Sequence, residues 1–290
     1  MANVLKGGPV AVAKMAELSE QIEELKARGI HPCLAIVRVG EREDDLSYEL
    51  GATKRAESLG ITVRKFLFPE QVASDVLIHA LCKVNEDDTI HGCLLFRPLP
   101  PHLDAEQVTN VLRTEKDIDA MARASLGGLL TRTNVGFAPC TAAACIELLH
   151  YYNIPLKGKK VAMIGKSATV GLPTALLLMK EGATVSVCHT QTAPEDTKRF
   201  CRDADIIISA AGCRNLIGAD YVKEGQIIVD VGINFTPDGK ICGDVDFERV
   251  EPIVAAITPV PGGVGAVTST IMSGHVVEAA WRRLSLEEDK

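Results

Sequence analysis

Apolar positions along the chain follow two patterns, one recurring every three to four residues and one running in short unbroken stretches. The first, over 10–28, predicts a helix that stops before Gly29, and the run 33–40 after it predicts a buried strand. The same alternation continues with a helix over 46–59 ending at Gly60, a strand over 61–68, a helix over 73–84 and a strand over 90–96. Arg97-Pro98-Leu99-Pro100-Pro101 then stops the series, because proline lacks the donor that strand pairing and helix both need. A second series begins with a helix over 141–152. It continues with strands over 160–164, 184–189, 205–210, 226–232 and 255–260, with helices over 172–180 and 194–203 between the first of them. Thr236-Pro237-Asp238-Gly239 reads as a hairpin turn, and a last helix over 268–284 could pack back on the first series.

Helices alternating with strands at this spacing predict α/β architecture with parallel sheets, here two α/β domains. The expected division gives 1–139 plus 269–290 to the first domain and 140–268 to the second, a Rossmann-type dinucleotide-binding domain.

Composition removes several function classes. A net charge of −7 and the lack of any basic arm give no footprint for nucleic acid or an anionic membrane. No apolar run approaches the roughly 20 residues of a membrane span, and no charged-then-apolar leader opens the chain, so a cytoplasmic location is expected. The nine cysteines are scattered and mostly set in apolar runs, which reads as reduced, buried side chains. Neither Cys-x-x-Cys nor a histidine cluster occurs, so no metal is expected.

Three motifs carry candidate chemistry. Strand 160–164 enters Gly165-Lys166-Ser167-Ala168-Thr169-Val170-Gly171, which opens a helix at Leu172-Pro173. A glycine turn at a helix N-terminus presents free N–H groups to a phosphate, although this Gly spacing is not the usual dinucleotide fingerprint and an ordinary βα turn would look similar. A P-loop is set aside, because the glycine it requires at position 160 is Lys160. Strand 184–189 ends at His189-Thr190-Gln191 with no acidic residue for a ribose 2′-hydroxyl, so Lys166 and Thr190 lean toward a 2′-phosphate and NADP, with NAD as the alternative. The run Pro259-Val260-Pro261-Gly262-Gly263-Val264-Gly265 is the densest Pro/Gly segment, and it lets backbone approach a ligand closely.

These motifs, together with Asp230-Val231-Gly232-Ile233-Asn234, Gly243-Asp244-Val245-Asp246, Lys116-Asp117-Ile118-Asp119, Pro98-Leu99-Pro100-x-His102 and Pro139-Cys140-Thr141, occur in one order over nearly the whole chain. In that order they resemble the methylenetetrahydrofolate dehydrogenase/cyclohydrolase family. The resemblance implies oxidation of 5,10-methylenetetrahydrofolate by hydride transfer to a nicotinamide dinucleotide, in a homodimer whose cleft lies between two α/β domains. It implies that Tyr48 stacks on the folate, that Asp119 holds the pterin, and that Pro261, Gly262, Gly263, Val264 and Gly265 line the folate and nicotinamide pocket. Gly165, Lys166, Ser167, Thr190, Gly212 and Ile233 fall on cofactor positions, with Lys166 where the family usually has Arg.

The departures concern the second activity. The family sets a catalytic Lys four residues after the Tyr, one helical turn on, and a catalytic Gln two residues before Pro-Leu-Pro. Those positions are Ala52 and Phe96 here, and Lys54 lies roughly 200° around the helix from Ala52. Neither Ala nor Phe moves a proton or makes a side-chain hydrogen bond, whereas hydride transfer relies on positioning. The expected reading is therefore a dehydrogenase that has lost the cyclohydrolase step. The alternatives are a bifunctional enzyme using Lys54 or Arg97, a catalytically silent folate-binding subunit, and a dehydrogenase for another small substrate. Ala120 for Gly, Ala142 for Pro and Ala266-Val267 for Pro-Met also depart from the family pattern and border the expected pocket.

Overall fold

The computed structural model describes residues 2–133 and 135–288. The chain begins with β1 (Asn3–Val4), α1 (Gly7–Ala27), β2 (Cys33–Val39), α2 (Glu43–Ser58), β3 (Thr62–Phe68), α3 (Ser74–Glu86) and β4 (Gly92–Leu95). The short helices α4 (Ala105–Thr109) and α5 (Arg123–Thr131) precede α6 (Cys140–Tyr151). Next come β5 (Lys160–Ile164), α7 (Gly171–Lys180), β6 (Thr184–Cys188), α8 (Pro194–Asp203) and β7 (Ile206–Ser209). A 3-10 turn at Ala219–Tyr221 leads to β8 (Ile227–Asp230), the hairpin β9 (Asn234–Phe235) and β10 (Ile241–Cys242), α9 (Phe247–Val250), β11 (Ala256–Ile257) and α10 (Gly265–Glu288).

Two units result. One contains Ala13–Cys140 and the stretch from Ser269 on, and the other contains the described residues up to Val12 with Thr141–Thr268. In the first unit β3, β2 and β4 form a parallel sheet in that order. Every residue of β2 is buried, which requires cover on both faces and accounts for its unbroken apolar pattern. Ala35, Val37, Leu77, Leu81, Cys93 and Leu95 are central to its core. Gly92 lets α10 approach this sheet, since a Cβ there would run into Ile118 and Val276.

The other unit holds a six-stranded parallel sheet in the order β1-β11-β8-β7-β5-β6, above a core that includes Ile164, Ile207, Ile228 and Ile257. From β5 the chain turns one way to β6 and then crosses back to β7 on the opposite side, which makes the β5/β7 edge a topological switch point. β1 sits in this sheet, although sequence order assigns it to the first domain. Asn3 and Leu5 donate backbone bonds to Ala255 and Ile257 at 2.8 Å, and the Gly7 N–H reaches Gly262 O, also at 2.8 Å.

Six cysteines are buried and Cys213 is exposed. Burial pushes the Cys93, Cys145 and Cys201 thiols up to about 12, so they act as small hydrophobes. Among the described residues no helix is long and apolar enough to cross a membrane, and no three His, Cys, Asp or Glu side chains gather as a metal set.

Asp87 ends α3 with a local carboxylate cluster. It accepts from Thr89 N at 2.9 Å, Thr89 Oγ1 at 2.6 Å and Arg64 at 2.7 Å, which holds its pKa down at about 2. A lowered carboxylate pKa contributes stability that is present above pH ~4 and is lost as pH falls toward 2. Asp87→Asn should cost about 1 kcal/mol at pH 7, discounted for the partly open side chain. Urea unfolding of the two proteins should show this gap narrowing from pH 5 to pH 3.

Candidate active site

The cofactor candidates converge on the switch point. Gly165 follows β5 with φ +125°, and a Cβ there would overlap the carbonyl of Ala210 beyond β7. Gly171 fails the same test against the carbonyl of Gly165, which gives the Gly-x5-Gly spacing a steric reason. Between them the Ser167 hydroxyl accepts from the N–H groups of Val170 and Gly171 at 3.1 and 3.2 Å, tying the turn to the residues that open α7. Lys166 is exposed, and its Nζ lies 3.5 Å from the Gln191 side chain beyond β6, beside the exposed Thr190. The turn therefore combines a helix N-terminus, a lysine and a cradle too tight for side chains, as an anionic dinucleotide requires.

Gly212 is also at the switch point, with φ +63°. Its loop hangs from a residue to which the sequence reading assigned no role. The fully buried Asp244 carboxylate accepts the N–H groups of Ala211 (2.7 Å), Gly212 (3.3 Å) and Cys213 (2.8 Å), with Ser209 Oγ and Asn234 Nδ2 at 2.9 Å. Asp230 in turn accepts from Gly232, Asp244 and Val245 N–H groups at 2.9, 3.0 and 2.9 Å. Burial pushes Asp230 up to about 6, Asp244 adds to the rise, and the three N–H donors oppose it. Gly232 and Gly243 are glycines because a Cβ on either would overlap the Asp244 or Asp230 carboxylate. Ile233, 68% exposed, stands on the turn these carboxylates fix.

The Pro261–Gly265 stretch divides by residue. Gly262 has φ +98°, and Gly263 is forced by Pro259 O, which a Cβ would meet at 2.5 Å. Pro261 and Gly265 are exposed, but Val264 is only 1% exposed. Its side chain is packed inward among the buried hydrophobic residues.

Tyr48 and Asp119 belong to the other unit, where they share a neighbourhood. Tyr48 on α2 meets Phe96 edge to face, with ring centroids 5.7 Å apart. Its hydroxyl is close enough to Cys140 and Asp119 that they join burial in pushing the phenol above its usual range. The Asp119 carboxylate accepts the Cys140 N–H at 2.8 Å and lies 3.8 Å from Arg97. Arg42 reaches the Arg97 carbonyl at 3.2 Å and pairs with Asp45. Ala52 is 1% exposed, on the inner face of α2 with buried Ala56, while Lys54 is exposed on the outer face. The side chains at positions 52 and 96, beside Tyr48, are therefore both apolar.

Lys116 and Asp117, quoted with Asp119 as one motif, do structural work. The Lys116 ammonium donates to the carbonyls of Val84, Asn85 and Asp87 at 2.7, 3.0 and 2.7 Å. Asp117, fully buried, accepts from Met121 N, Ala122 N and Ser125 Oγ. The turn after Asp119 places Ala120 at φ +50°, a left-handed conformation that glycine adopts more readily than alanine.

A parallel sheet with an anion-receiving turn at its switch point defines a dinucleotide-binding α/β protein. The chain belongs to the tetrahydrofolate dehydrogenase/cyclohydrolase family: residues 5–119 match its catalytic domain and residues 139–284 its NAD(P)-binding domain. It is 46% identical over 281 residues to the bifunctional protein FolD of Carboxydothermus hydrogenoformans, covering 96% of this chain and 97% of that one. To the FolD of Clostridioides difficile it is 42% identical over 276 residues, 95% and 96% of the two chains. The fold is similar to the bifunctional FolD of Campylobacter jejuni (TM-score 0.94, 40% identity, 98% and 100% coverage). It is also similar to the Trypanosoma brucei dehydrogenase-cyclohydrolase solved with NADP and an inhibitor (TM-score 0.92, 33% identity, 98% of each chain).

Ser167→Ala removes the two hydrogen bonds that tie the turn to the start of α7 and should cost about 1 kcal/mol of stability. Thermal unfolding with and without saturating dinucleotide should show the cost in both states. A drop much larger with dinucleotide bound would show that the hydroxyl contacts the ligand as well.

Proposed function

We propose that this chain oxidises 5,10-methylenetetrahydrofolate to 5,10-methenyltetrahydrofolate with NADP as hydride acceptor. The observation that carries this is the switch-point turn of Gly165, Lys166 and Ser167 in a chain belonging to a folate dehydrogenase family. Gly165, Lys166, Ser167, Thr190, Gly212 and Ile233 hold the dinucleotide, which when bound supplies the hydride-accepting nicotinamide. Tyr48 stacks on the folate, and Asp119, one oxygen already tied to Cys140 N–H, offers its remaining lone pairs to the pterin N–H groups. Pro261, Gly262, Gly263, Val264 and Gly265 contribute backbone to the pocket. These roles for named residues follow from the resemblance together with the local geometry, as does assembly into a homodimer.

Hydride transfer needs donor and acceptor held in register and no protein acid or base. Opening of the methenyl ring is different, because water must be activated and protons moved. Two observations pull apart on this second step. The curated relatives are named bifunctional, and across 46% identity that supports cyclohydrolase activity here as well. Against it stands the buried apolar pair Ala52 and Phe96 beside Tyr48. On the bifunctional reading the proton carrier must be a group other than the family's Lys and Gln. Arg97 is a poor base because its guanidinium stays charged, and Lys54 faces away on α2.

One assay separates the readings: methenyltetrahydrofolate formation and its decay, followed independently by chromatography, with and without enzyme. Decay no faster than in buffer supports loss of the cyclohydrolase step, and enzyme-dependent decay establishes the bifunctional reading. With the step lost, Ala52→Lys combined with Phe96→Gln should raise hydrolysis at least about tenfold, the usual scale of positioned acid–base catalysis being larger.

For the cofactor, Lys166→Ala should raise KM for NADP about tenfold or more while leaving KM for NAD within about twofold, since only the 2′-phosphate loses a charged donor. Equal losses for both dinucleotides would assign Lys166 to the shared pyrophosphate.

A further inference from the structure

The peptide leading into Asp119 is gripped from α10. The carbonyl of Ile118 accepts from His275 Nδ1 at 2.7 Å and from the Cys140 thiol at 3.3 Å, while the Cys140 N–H takes one oxygen of Asp119. A carbonyl can only accept, so Nδ1 carries the proton. Cys140 Sγ and His275 Nδ1 are 3.6 Å apart, a spacing that could suggest a nucleophilic pair. Burial pushes the thiol far above its usual range, and both groups point at one acceptor, so the pair acts as a clamp.

The clamp is itself braced. The His275 ring lies against Phe137, with centroids 5.1 Å apart and planes tilted 31°. Two helical turns further along α10, Arg282 lies over the other end of this contact, 4.3 Å from the Phe137 centroid, and donates to Gly136 O at 2.8 Å. Gly136 has φ +68° and no room for a Cβ beside Ser125, whose hydroxyl is bonded to Asp117. One face of α10 thus fixes the 136–140 segment and the Ile118–Asp119 peptide together. Nothing about the stability of α10 requires a ring nitrogen on that carbonyl.

We propose that His275 is a positioning residue for the dehydrogenase reaction: by holding the Ile118 carbonyl it sets the direction in which the Asp119 carboxylate meets the pterin. This rests on the reading that Asp119 holds the folate. Loss of the Nδ1 donor leaves the Ile118 carbonyl on a single weak thiol bond, and displacement of a substrate-holding group by about 1 Å can cost on the order of a hundredfold in rate.

Steady-state kinetics of His275→Leu, His275→Asn and Asp119→Asn test it, with melting temperatures measured alongside. His275→Leu should lower kcat/KM for methylenetetrahydrofolate by about ten- to a hundredfold and leave KM for NADP within about twofold. His275→Asn, whose amide nitrogen can donate from nearly the same place, should recover most of that loss. Asp119→Asn should impair folate use at least as strongly, and the double change Asp119→Asn with His275→Leu should be far from additive. Equal defects in the Leu and Asn variants, or a loss that falls on both substrates, would assign His275 to packing and overturn the proposal. A strong Asp119→Asn defect beside an unimpaired His275→Leu would overturn it while leaving the folate site in place. An unimpaired Asp119→Asn would overturn the folate-site reading itself, and the clamp with it.

Discussion

The Asp244 carboxylate organises the dinucleotide half. A fully buried charge is costly unless it is satisfied, and this one collects three consecutive backbone N–H groups, a hydroxyl and an amide. Those donors come from the end of β7, the loop after it and the β9 hairpin strand, so one side chain fixes three segments at the carboxyl edge of the sheet. Asp230 repeats the arrangement one strand over and orients Asp244 through its N–H. Loss of either carboxylate would leave several buried donors unpaired at once, which makes the pair far more sensitive than their distance from any reacting atom suggests.

The two halves use different materials. Around the switch point, recognition is built from backbone: glycines at Gly165, Gly171, Gly232 and Gly243 have no space for a Cβ, and side chains there cap or hold loops. Around Tyr48 it is built from side chains on a conventional helix and two loops, with Phe96 and Ala52 giving the neighbourhood an apolar lining. Backbone sites tolerate little change in sequence. Side-chain sites can change chemistry one residue at a time.

Much of the fold was legible because its signals are local. Strand β5 and helix α8 have the predicted bounds, since an unbroken apolar run and a Pro-opened polar stretch leave little ambiguity. Helix α5 escaped detection because Gly127 and Gly128 lower helix propensity, and Gly128 is there only because the backbone of Val135 passes too close for a Cβ. The predicted strand at 255–260 shrinks to β11, as Pro259 and Pro261 cannot donate. Within the site, the glycine turn and the Tyr48 register could be read from spacing. Asp244 and His275 could not, because each acts on segments distant in sequence, and a lone Asp or His carries no local mark of its partners. The burial of Val264 was hidden for the same reason: its motif gives the loop, but packing decides which side chains turn inward.

Strand β1 has only two residues, yet it lies beside β11, near the other end of the chain, and Gly7 just after it meets the Gly262–Gly263 loop. The sheet of the dinucleotide-binding unit is therefore completed on that side by a pairing of very long sequence separation. Long-range closure of this kind is slow to pay back its entropy. Until it happens, the edge of β11 is an open template for any other strand. Docking of β1 therefore covers the β11 edge and ties down the Gly262–Gly263 loop in a single step.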